Sequence, residues 1–467
     1  MKRSLLTCFT LGAALGAGPA FADLRTYEVP RALVYTNHDD DFTVQVREPG
    51  GEWKDLYEWK VTVDLDTRQD ASMVYFDFTG TAEMRIQKNN GMFSRVTIGP
   101  RAGAPKPAVR DGKVYIMLDK PQNFALFFDD DHLHNLHVFA GAPMPVPEGS
   151  GVRRFGPGLH VPEGGGGTFE VGSGETVYMD GGAVMLGTFH VADAHDVKIL
   201  GHGLILPPAG GKGGQFLIEK SRNVTIEGPI VAQADGGVGR SVMSKDVRIA
   251  DVKGITGGQW TDGINIYSSE RVSLDRLFLR TSDDCVTVYA HRGESYGDSR
   301  DIRVTNSTLW ADIAHAMFVG IHGNSINPET IERVTFDNID VVDVDEDDPD
   351  FEGVMAIYAG DANLVRDITF SNIRVDRIEE AKLFNFRVGF NGKYNTSPGR
   401  GIQHVILRNV SYSGAGMPSA ALIQGYDAQR GVDDVLLDNV TIAGRQIDLR
   451  DPETVKIGPF ATNVRVR

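Results

Sequence analysis

The sequence feature that most constrains the fold of this chain is a short residue pattern that recurs many times. From about residue 152 onward, triplets of the form apolar, polar, apolar recur, and their starts are 23 to 37 residues apart. The triplets begin at Val197, Val224, Val247, Val272, Ile302, Val334, Ile368, Val405 and Val435. Repeats of this period are typical of solenoids, in which each repeat stacks on its neighbours. Because the repeats have the pattern of strands with one inward face, we predict a right-handed parallel β-helix.

An asparagine follows each later triplet at a constant position. These residues are Asn306, Asn338, Asn372, Asn409 and Asn439. Stacked coils would place their side chains above one another, so we expect a ladder of amide hydrogen bonds with a structural role. The spacing of the triplets widens after residue 290. Longer loops should therefore project from the later coils, and such loops commonly form the walls of a cleft.

The region before the repeat has a different pattern. Residues 23–150 contain several short alternating apolar and polar runs with Gly, Asn and Asp between them. This pattern is typical of an antiparallel β-sandwich. The proline-rich stretch 142–147 indicates a linker or domain edge. We therefore predict an all-β protein with a sandwich domain over residues 23–150 and a β-helix domain over residues 151–467.

The first 22 residues have the pattern of an export signal. Met1–Arg3 is positively charged, Leu5–Gly18 is apolar, and Ala20–Ala22 matches a small-residue cleavage site. The apolar stretch is too short to cross a bilayer, which takes about 20 residues. We expect cleavage after Ala22, a secreted or periplasmic protein and no membrane span.

The cysteine content indicates a protein without disulfide bonds. Cys8 lies in the signal, so Cys285 is the only cysteine expected in the mature chain, and no internal disulfide can form. A chain of this length can form a sufficient core without disulfides, and we expect Cys285 to be buried there.

The net charge of −16 argues against a nucleic-acid partner. An acidic substrate would need local Lys or Arg residues.

Three aspartates lie about one coil apart in the centre of the repeat. Asp262 lies in a Thr-Asp-Gly-Ile sequence 21 residues before Asp283, and Asp284 follows directly. Neighbouring strands are about 4.8 Å apart, so stacking would bring the three carboxyl groups together. Carboxylates that close cannot all ionise freely, and the pKa of at least one rises. A protonated carboxyl beside ionised ones suits general acid–base hydrolysis, which makes the β-helix the catalytic domain.

The sequences around these aspartates resemble glycoside hydrolase family 28, the polygalacturonases. A sandwich before the β-helix also resembles family 49, the dextranases and isopullulanase. The resemblance to family 28 implies that Asp283 is the general acid that protonates the leaving glycosidic oxygen. It implies that Asp262 and Asp284 position and activate a water molecule, with inversion at the anomeric carbon. We expect no cofactor and no metal.

A histidine between small residues on the next coil is also part of the family pattern. His315, in an Ala-His-Ala sequence, is the nearest match, and we predict that it tunes the acid. His322 is the reserve candidate and would otherwise line the substrate site. The Gly-His-Gly sequence at residues 201–203 lies three coils too early, and we assign it to a turn.

The candidate substrate-binding residues lie on both sides of this cluster. Trp260 and Tyr267 flank Asp262, and their rings could stack on sugar faces. The Arg-x-Lys element with which family 28 holds a substrate carboxylate has no clear counterpart here, and Arg387 is the nearest in placement. Lys393 and Tyr394 lie in the loop that follows. The missing lysine leaves open whether the substrate carries a carboxylate.

These observations predict a monomeric hydrolase that cleaves polygalacturonan or a related pectic glycan. An α-glucan is the alternative substrate, favoured by the sandwich and by the missing Arg-x-Lys element. A polysaccharide lyase of the same fold is disfavoured, because no lysine adjoins the aspartates. A non-catalytic carbohydrate-binding β-helix would need no carboxylate cluster. The acidic stretch Asp343–Asp350 is interpreted as a solvated loop, with a calcium site as the alternative.

Overall fold

The computed structural model describes residues 23–64, 68–165, 167–208, 214–234 and 236–467. The predicted export signal, residues 1–22, lies outside the described residues. Within these ranges the chain is nearly all β, with two short 3-10 turns at Arg31–Leu33 and Glu163–Gly165 and no α-helix. None of the described residues forms a helix that is long and apolar enough to cross a bilayer.

Eleven described strands precede residue 142. They are β1 (Asp23–Arg25), β2 (Phe42–Arg47), β3 (Lys54–Asp55), β4 (Trp59–Val63), β5 (Gln69–Thr79), β6 (Ala82–Lys88), β7 (Val96–Gly99), β8 (Ala108–Arg110), β9 (Lys113–Leu118), β10 (Gln122–Phe128) and β11 (Leu136–Gly141). A six-stranded sheet contains β1, β4, β5, β7, β10 and β11, and the others form a five-stranded sheet. The two sheets share a buried apolar core. The predicted sandwich is therefore present, but one pair, β5 with β11, is parallel rather than antiparallel.

Thirty described strands follow. The early coils contain β12 (Val152–Phe155), β13 (Gly158–His160), β14 (Thr168–Glu170), β15 (Thr176–Met179), β16 (Ala183–Leu186), β17 (Thr188–Ala192), β18 (His195–Gly201), β19 (Leu204–Leu206), β20 (Phe216–Glu219), β21 (Arg222–Glu227), β22 (Ile230–Ala232), β23 (Gly239–Val242), β24 (Lys245–Ala250) and β25 (Lys253–Ile255). The later coils contain β26 (Ile264–Tyr267), β27 (Glu270–Asp275), β28 (Phe278–Thr281), β29 (Val286–Tyr289), β30 (Ser299–Ala311), β31 (Met317–Gly320), β32 (Thr330–Val344), β33 (Met355–Ala359), β34 (Leu364–Val375), β35 (Phe384–Val388), β36 (Gly401–Tyr412), β37 (Ala421–Gln424), β38 (Val432–Ile442), β39 (Arg445–Gln446), β40 (Val455–Ile457) and β41 (Ala461–Val466).

These strands coil into a parallel β-helix, which confirms the predicted fold class. One face is an eleven-stranded sheet, which runs from β14 through β17, β20, β23, β26, β29, β31, β33, β35 and β37 to β40. We call it the eleven-stranded face. The remaining strands form a nineteen-stranded sheet that bends around the other sides. In the coils up to β28 the bend separates two short strands, such as β27 and β28, and both of these pair with the single long strand β30 of the next coil.

The repeated triplets of the sequence are aligned with one another by the register of the nineteen-stranded sheet. The first residues of all the triplets pair directly with one another from coil to coil. Because side chains alternate between the two sides of a strand, the outer residues of a triplet, such as Val272 and Leu274, are buried inside the helix. One continuous apolar core therefore runs along the helix axis.

The asparagine ladder forms at the bend of the later coils. Asn338 donates to Asn306 over 2.8 Å, Asn409 to Asn372 over 3.0 Å, and Asn439 to Asn409 over 2.9 Å. Between Asn338 and Asn372 the ladder is interrupted, since Asn372 donates to Asp337 instead. All of these asparagines have left-handed backbone angles, with φ between 53° and 58°. Asparagine tolerates this conformation better than most residues, so the residue type suits both the bend and the ladder.

The outer face of the six-stranded sheet packs against the outside of the nineteen-stranded sheet. Trp59, Met73 and Phe139 of the sandwich bury against Leu204 and Phe278 of the helix. A fully buried arginine, Arg280, lies at the same interface. A buried charge is stable only when it has hydrogen-bonding or ionic partners. The Arg280 guanidinium stacks on Trp310 at 3.6 Å, donates to Asp312 over 2.9 Å and donates to Asn135 of the sandwich over 2.6 Å. The interface therefore fixes β28, the strand that leads into Asp283 and Asp284.

Candidate active site

Three of the predicted site residues occupy the same place on three successive coils. Asp262 lies two residues before Ile264, Asp284 two before Val286, and His315 two before Met317. The residues that begin these strands pair directly across β26, β29 and β31. Asp262, Asp284 and His315 therefore form one row at the corner where the chain enters the eleven-stranded face.

The aspartate side chains converge at this corner. Asp262, Asp283 and Asp284 each place a carboxylate oxygen within 4.8 Å of the other two. Asp284 is buried, with 5% of its surface exposed, whereas Asp262 and Asp283 are partly exposed. The cluster therefore opens to solvent on the side of Asp262 and Asp283.

The backbone of the corner permits this close approach. Gly263 follows Asp262, and a Cβ atom at this position would lie 2.2 Å from the carbonyl oxygen of Cys285 on the next coil. The amide of Gly263 donates to the Asp284 carbonyl over 2.8 Å. Thr281 donates its hydroxyl to the Asp283 carbonyl over 2.6 Å, which stabilises the turn between β28 and β29. Cys285 is fully buried in the core of the helix, as predicted.

His315 is a buried partner of Asp284 and does not touch Asp283. Its Nδ1 lies 2.7 Å from Asp284 Oδ1, and its Nε2 lies 2.7 Å from the Phe351 carbonyl oxygen. Both partners are acceptors, so both ring nitrogens donate and the ring is an imidazolium. Burial by itself would lower the pKa of His315, but the charge of Asp284 and the hydrogen bond to it raise that pKa to about 9.

Further contacts hold the Asp284 carboxyl group in place. The His315 backbone amide donates to Asp284 Oδ1 over 3.1 Å, and the Tyr289 hydroxyl donates to Oδ2 over 3.3 Å. The imidazole of His315 stacks on the ring of Phe318 with centroids 4.2 Å apart, which fixes its orientation. The oxygens of Asp284 therefore accept three hydrogen bonds, and the one from His315 comes from a cation.

The pKa values of the other two carboxyl groups are raised. Burial, followed by the charges of Asp284 and Asp262, raises the pKa of Asp283 well above its ordinary value. Burial and the charge of Asp284 raise the pKa of Asp262 to about 7. Two of the three carboxyl groups at this corner thus have a raised pKa, and a carboxyl group that keeps a proton near neutral pH is suited to general acid–base catalysis.

Asn265 orients the Asp262 carboxylate. Its side-chain amide donates to Asp262 Oδ2 over 2.8 Å, while its own oxygen accepts a hydrogen bond from the Thr287 hydroxyl. The sequence analysis did not identify Asn265. A signal was present, since a polar residue lies between Ile264 and Ile266 and strand alternation places it on the outer side, near Asp262.

Aromatic rings form the surface next to the cluster. Tyr267 and Tyr289 stack with their centroids 5.4 Å apart, and His322 meets Tyr289 edge-on at 5.1 Å. Burial and the charge of Arg292 lower the pKa of His322 to about 4, so this ring is neutral. Tyr267 is only 8% exposed, whereas Trp260 is 75% exposed. Of the two rings that flank Asp262, Trp260 is the one open to a ligand.

The remaining candidates lie on loops of the later coils. Arg387 donates to Asp350 over 2.7 Å, so its charge is paired. Lys393 is exposed and lies over the ring of Tyr394 at 4.6 Å. Tyr394 contacts Phe351, the residue whose carbonyl oxygen receives the His315 hydrogen bond. Sequence reasoning could not have found the Phe351 contact, because a backbone carbonyl has no residue-type signal.

The acidic stretch Asp343–Asp350 lies between these loops and the sandwich. Asp343 belongs to β32, is buried, and pairs with Arg377. Glu346 lies 3.9 Å from the His315 ring. Within the described part of the chain, convergent acidic groups of three occur at Asp39–Asp41 and at the three corner aspartates, and not in this stretch. The corner aspartates are also a donor set that Ca²⁺ accepts.

A parallel β-helix with three convergent carboxyl groups at an open corner, two of them with a raised pKa, fits the class of carbohydrate-cleaving β-helix enzymes. The sequence model of Glycosyl hydrolases family 28 matches residues 211–456, which is more than half of the chain, and the chain belongs to this family. The protein is therefore a glycoside hydrolase with a polysaccharide substrate. No curated protein matches it in a sequence comparison.

Solved structures resemble the chain at low sequence identity. Dex49A from Penicillium minioluteum matches with a TM-score of 0.64 and 13% identity, covering 96% of this chain and 99% of that one. The polygalacturonase from Erwinia carotovora ssp. carotovora matches with a TM-score of 0.49 and 15% identity, covering 71% and 89%. The family 28 exopolygalacturonase of Yersinia enterocolitica matches with a TM-score of 0.44 and 11% identity, covering 83% and 96%. The likeness to Dex49A extends through the sandwich and shows the shared fold.

Proposed function

We propose that the protein hydrolyses polygalacturonan or a related pectic glycan with inversion at the anomeric carbon. The observation that carries this proposal is the contrast between adjacent aspartates. Asp284 is bonded to the His315 imidazolium, whereas the pKa of Asp283 is raised by burial and by its acidic neighbours. The corner thus supplies a proton donor and a carboxylate within one site.

In this mechanism each residue of the cluster has one role. Asp283 gives its proton to the leaving glycosidic oxygen as the bond to the anomeric carbon breaks. Asp262 and Asp284 hold the attacking water on the opposite face of the sugar, and one of them accepts the proton that the water loses. His315 binds and orients the Asp284 carboxyl group, so it is a positioning residue. Trp260 supplies an exposed ring for stacking on a sugar.

The stereochemical outcome is a separate prediction. Inverting enzymes place the two carboxyl groups about 6.5–9.5 Å apart and retaining enzymes about 5 Å apart. The nearest oxygens here lie within 4.8 Å, which is shorter than the inverting range. We still infer inversion, because two carboxylates share the water, whereas retention would need one of them to attack the sugar. Proton NMR of the first product should show the inverted anomer, and the retained anomer would instead make Asp262 or Asp284 a nucleophile.

The general acid can be tested by substitution. Asp283→Asn removes the proton donor with little change in shape, and we expect the release of reducing ends from polygalacturonate to fall at least about 10³-fold. Asp301→Asn is the control, since Asp301 pairs with Arg333 on the surface of the helix. If the Asp283→Asn protein releases reducing ends at the native rate, Asp283 is not the acid.

An α-glucan is the alternative substrate. The full-length likeness to Dex49A favours it, as does the pairing of Arg387 with Asp350. Parallel assays on polygalacturonate, rhamnogalacturonan, dextran and pullulan decide between the two. A lyase would form an unsaturated product that absorbs in the ultraviolet, and we expect none.

We also propose that the protein is exported and acts as a monomer. The charged start, short apolar stretch and small-residue site of residues 1–22 support export. An acidic net charge of −16 keeps copies of the chain apart.

A further inference from the structure

The three corner aspartates and a pectic substrate carry charges of the same sign. A galacturonan carries one negative charge on each sugar, and the protein has a net charge of −16. The three aspartates add further repulsion at the point of cleavage. A substrate of this charge therefore requires cations beside the cluster that are not already neutralised. This inference rests on the proposed function and concerns which residues meet that requirement.

Most cations of the later loops already have partners. Arg387 pairs with Asp350 over 2.7 Å, and Lys382 pairs with Glu352. Lys393 lies over the Tyr394 ring, on a side chain that is otherwise in solvent. These residues lie on coils beyond His315, and none of them adjoins Asp262.

Arg240 approaches Asp262 from the preceding coil. It lies on β23 and pairs directly with Asn265 of β26, the residue whose amide binds the Asp262 carboxylate. Adjacent strands are about 4.8 Å apart, so the arginine and asparagine side chains leave the sheet as neighbours. The guanidinium donates to the Gly236 carbonyl over 3.1 Å, and its Nε is buried without a hydrogen-bond partner. Among the described residues Arg240 forms no ion pair.

Arg292 approaches from the following coil. It is exposed and lies just after β29, whose Tyr289 stacks on Tyr267 beside the cluster. Its charge acts on Asp262 and, after burial, contributes to the lowered pKa of His322. Within the part of the chain that the structure describes, Arg292 also has no acidic partner. The two arginines therefore bracket Asp262 from the coils before and after it.

We propose that Arg240 and Arg292 bind the carboxylates of the sugars on either side of the scissile bond. A guanidinium is planar and always charged, and it can bind a carboxylate through two parallel hydrogen bonds. Arg240 supplies a partly buried partner and Arg292 supplies an exposed one. The pair would make the enzyme selective for uronates although the chain lacks the Arg-x-Lys element.

Binding to an inactive protein tests this proposal apart from catalysis. In the Asp283→Asn background, calorimetry should show that trigalacturonate binds more tightly than its methyl ester. Arg240→Gln and Arg292→Gln should each weaken trigalacturonate binding about 10-fold, the loss of one hydrogen-bonded charge contact. Neither change should alter binding of the ester. Arg303→Gln is the matched control, since Arg303 is an exposed arginine on β30, away from the eleven-stranded face.

The outcomes separate this inference from the proposed function. Equal binding of trigalacturonate and its ester, or tighter binding of isomaltotriose, would overturn the role of the arginines. A loss of equal size for the acid and the ester in the Arg240→Gln protein would indicate a packing role and would also overturn it. A native rate of cleavage by the Asp283→Asn protein would show that Asp283 is not the acid. The calorimetric comparison would still test the role of the arginines, because it measures binding and not cleavage.

Discussion

At the scale of single residues, the adjacent aspartates differ because the chain turns between them. Asp284 lies in the row with Asp262 and His315 and is buried against an imidazolium. Asp283 lies one residue earlier, at the open side of the corner, where it adjoins two acidic groups but makes no ion pair among the described residues. Two identical side chains thus have different surroundings, and the pKa of Asp283 is raised well above its ordinary value. The position of each residue in the turn decides which partners its side chain meets.

The pH dependence of stability should report the buried His315–Asp284 pair. The pKa of His315 rises from about 6.5 in the unfolded chain to about 9 in the folded one. A raised histidine pKa contributes stability that is fully present below about pH 6.5 and is lost as the pH rises through about 9. We expect His315→Gln to lower the free energy of unfolding by about 3 kcal/mol at pH 6, since it leaves a buried carboxylate without its partner.

Urea unfolding at pH 6, 8 and 9.5 measures this effect. The native protein should lose stability over this range, and the His315→Gln protein should lose less. His404→Gln is the control, because His404 is exposed and pairs with Asp434 on the surface. Parallel curves for the native and His315→Gln proteins would show that folding does not raise the pKa of His315.

At the scale of elements, the coils are held by features that repeat with the register. The inward apolar residues provide burial, and the bend between the two parts of each later strand needs a left-handed residue. Asn409 has a φ of 53°, donates to Asn372 over 3.0 Å and accepts from Asn439 over 2.9 Å. The ladder therefore combines a backbone requirement with hydrogen bonds between coils.

Substitutions at Asn409 separate these two contributions. Asn409→Gly keeps the left-handed backbone but loses the amide bonds, and we expect a loss of about 1 kcal/mol in unfolding free energy. Asn409→Ala loses the bonds and also places a Cβ in the left-handed region, so we expect about 2 kcal/mol or more. Urea titrations of the two proteins give the comparison. An alanine variant as stable as the glycine variant would mean that the bend carries no backbone strain.

At the scale of the whole molecule, the sandwich and the helix are joined by polar contacts inside an apolar interface. Asp77 of β5 accepts hydrogen bonds from the Tyr27 hydroxyl at 2.5 Å and from Nδ1 of His202 at 2.6 Å. His202 belongs to the Gly-His-Gly sequence assigned to a turn, and it lies between β18 and β19 of an early coil. This histidine connects the two parts of the molecule, far along the sequence from the acidic corner.

The Asp77 contacts should make docking of the sandwich sensitive to acid. Burial opposes ionisation of Asp77, but the hydrogen bonds from His202 and Tyr27 and the charge of His202 lower its pKa below the ordinary value. A lowered carboxyl pKa contributes stability that is present above the unfolded pKa of about 3.9 and is lost as the pH falls through the folded pKa. We expect Asp77→Asn to cost about 2 kcal/mol at pH 6 and progressively less below pH ~4.

Thermal unfolding at pH 6 and pH 3 checks this expectation. Asp70→Asn is the control, because Asp70 is exposed and pairs with Lys60 only at 3.4 Å, and surface pairs of this kind contribute about 0–1 kcal/mol. A difference between native and Asp77→Asn proteins that is as large at pH 3 as at pH 6 would show that the charge of Asp77 is not what joins the two parts.

Much of the fold could be predicted because its information is local and periodic. The triplets gave the register of the nineteen-stranded sheet, and alternating runs gave most strands of the sandwich. The parallel pairing of β5 with β11 was not predicted, since pairing direction depends on how distant strands meet. The interface around Arg280 was not predicted either, because its partners Asn135 and Asp312 are separated from it by 145 and 32 residues.

Part of the candidate site could likewise be predicted from the sequence, and part could not. The sequence determined that Asp262, Asp283, Asp284 and His315 would recur about one coil apart, because the length of a coil converts sequence spacing into stacking. Tertiary structure decided what surrounds them: Asn265 on Asp262, the Phe351 carbonyl on His315, and Arg240 and Arg292 on either side. Those contacts depend on side-chain directions and on loops whose paths are set by packing between coils, and no spacing along the chain encodes them.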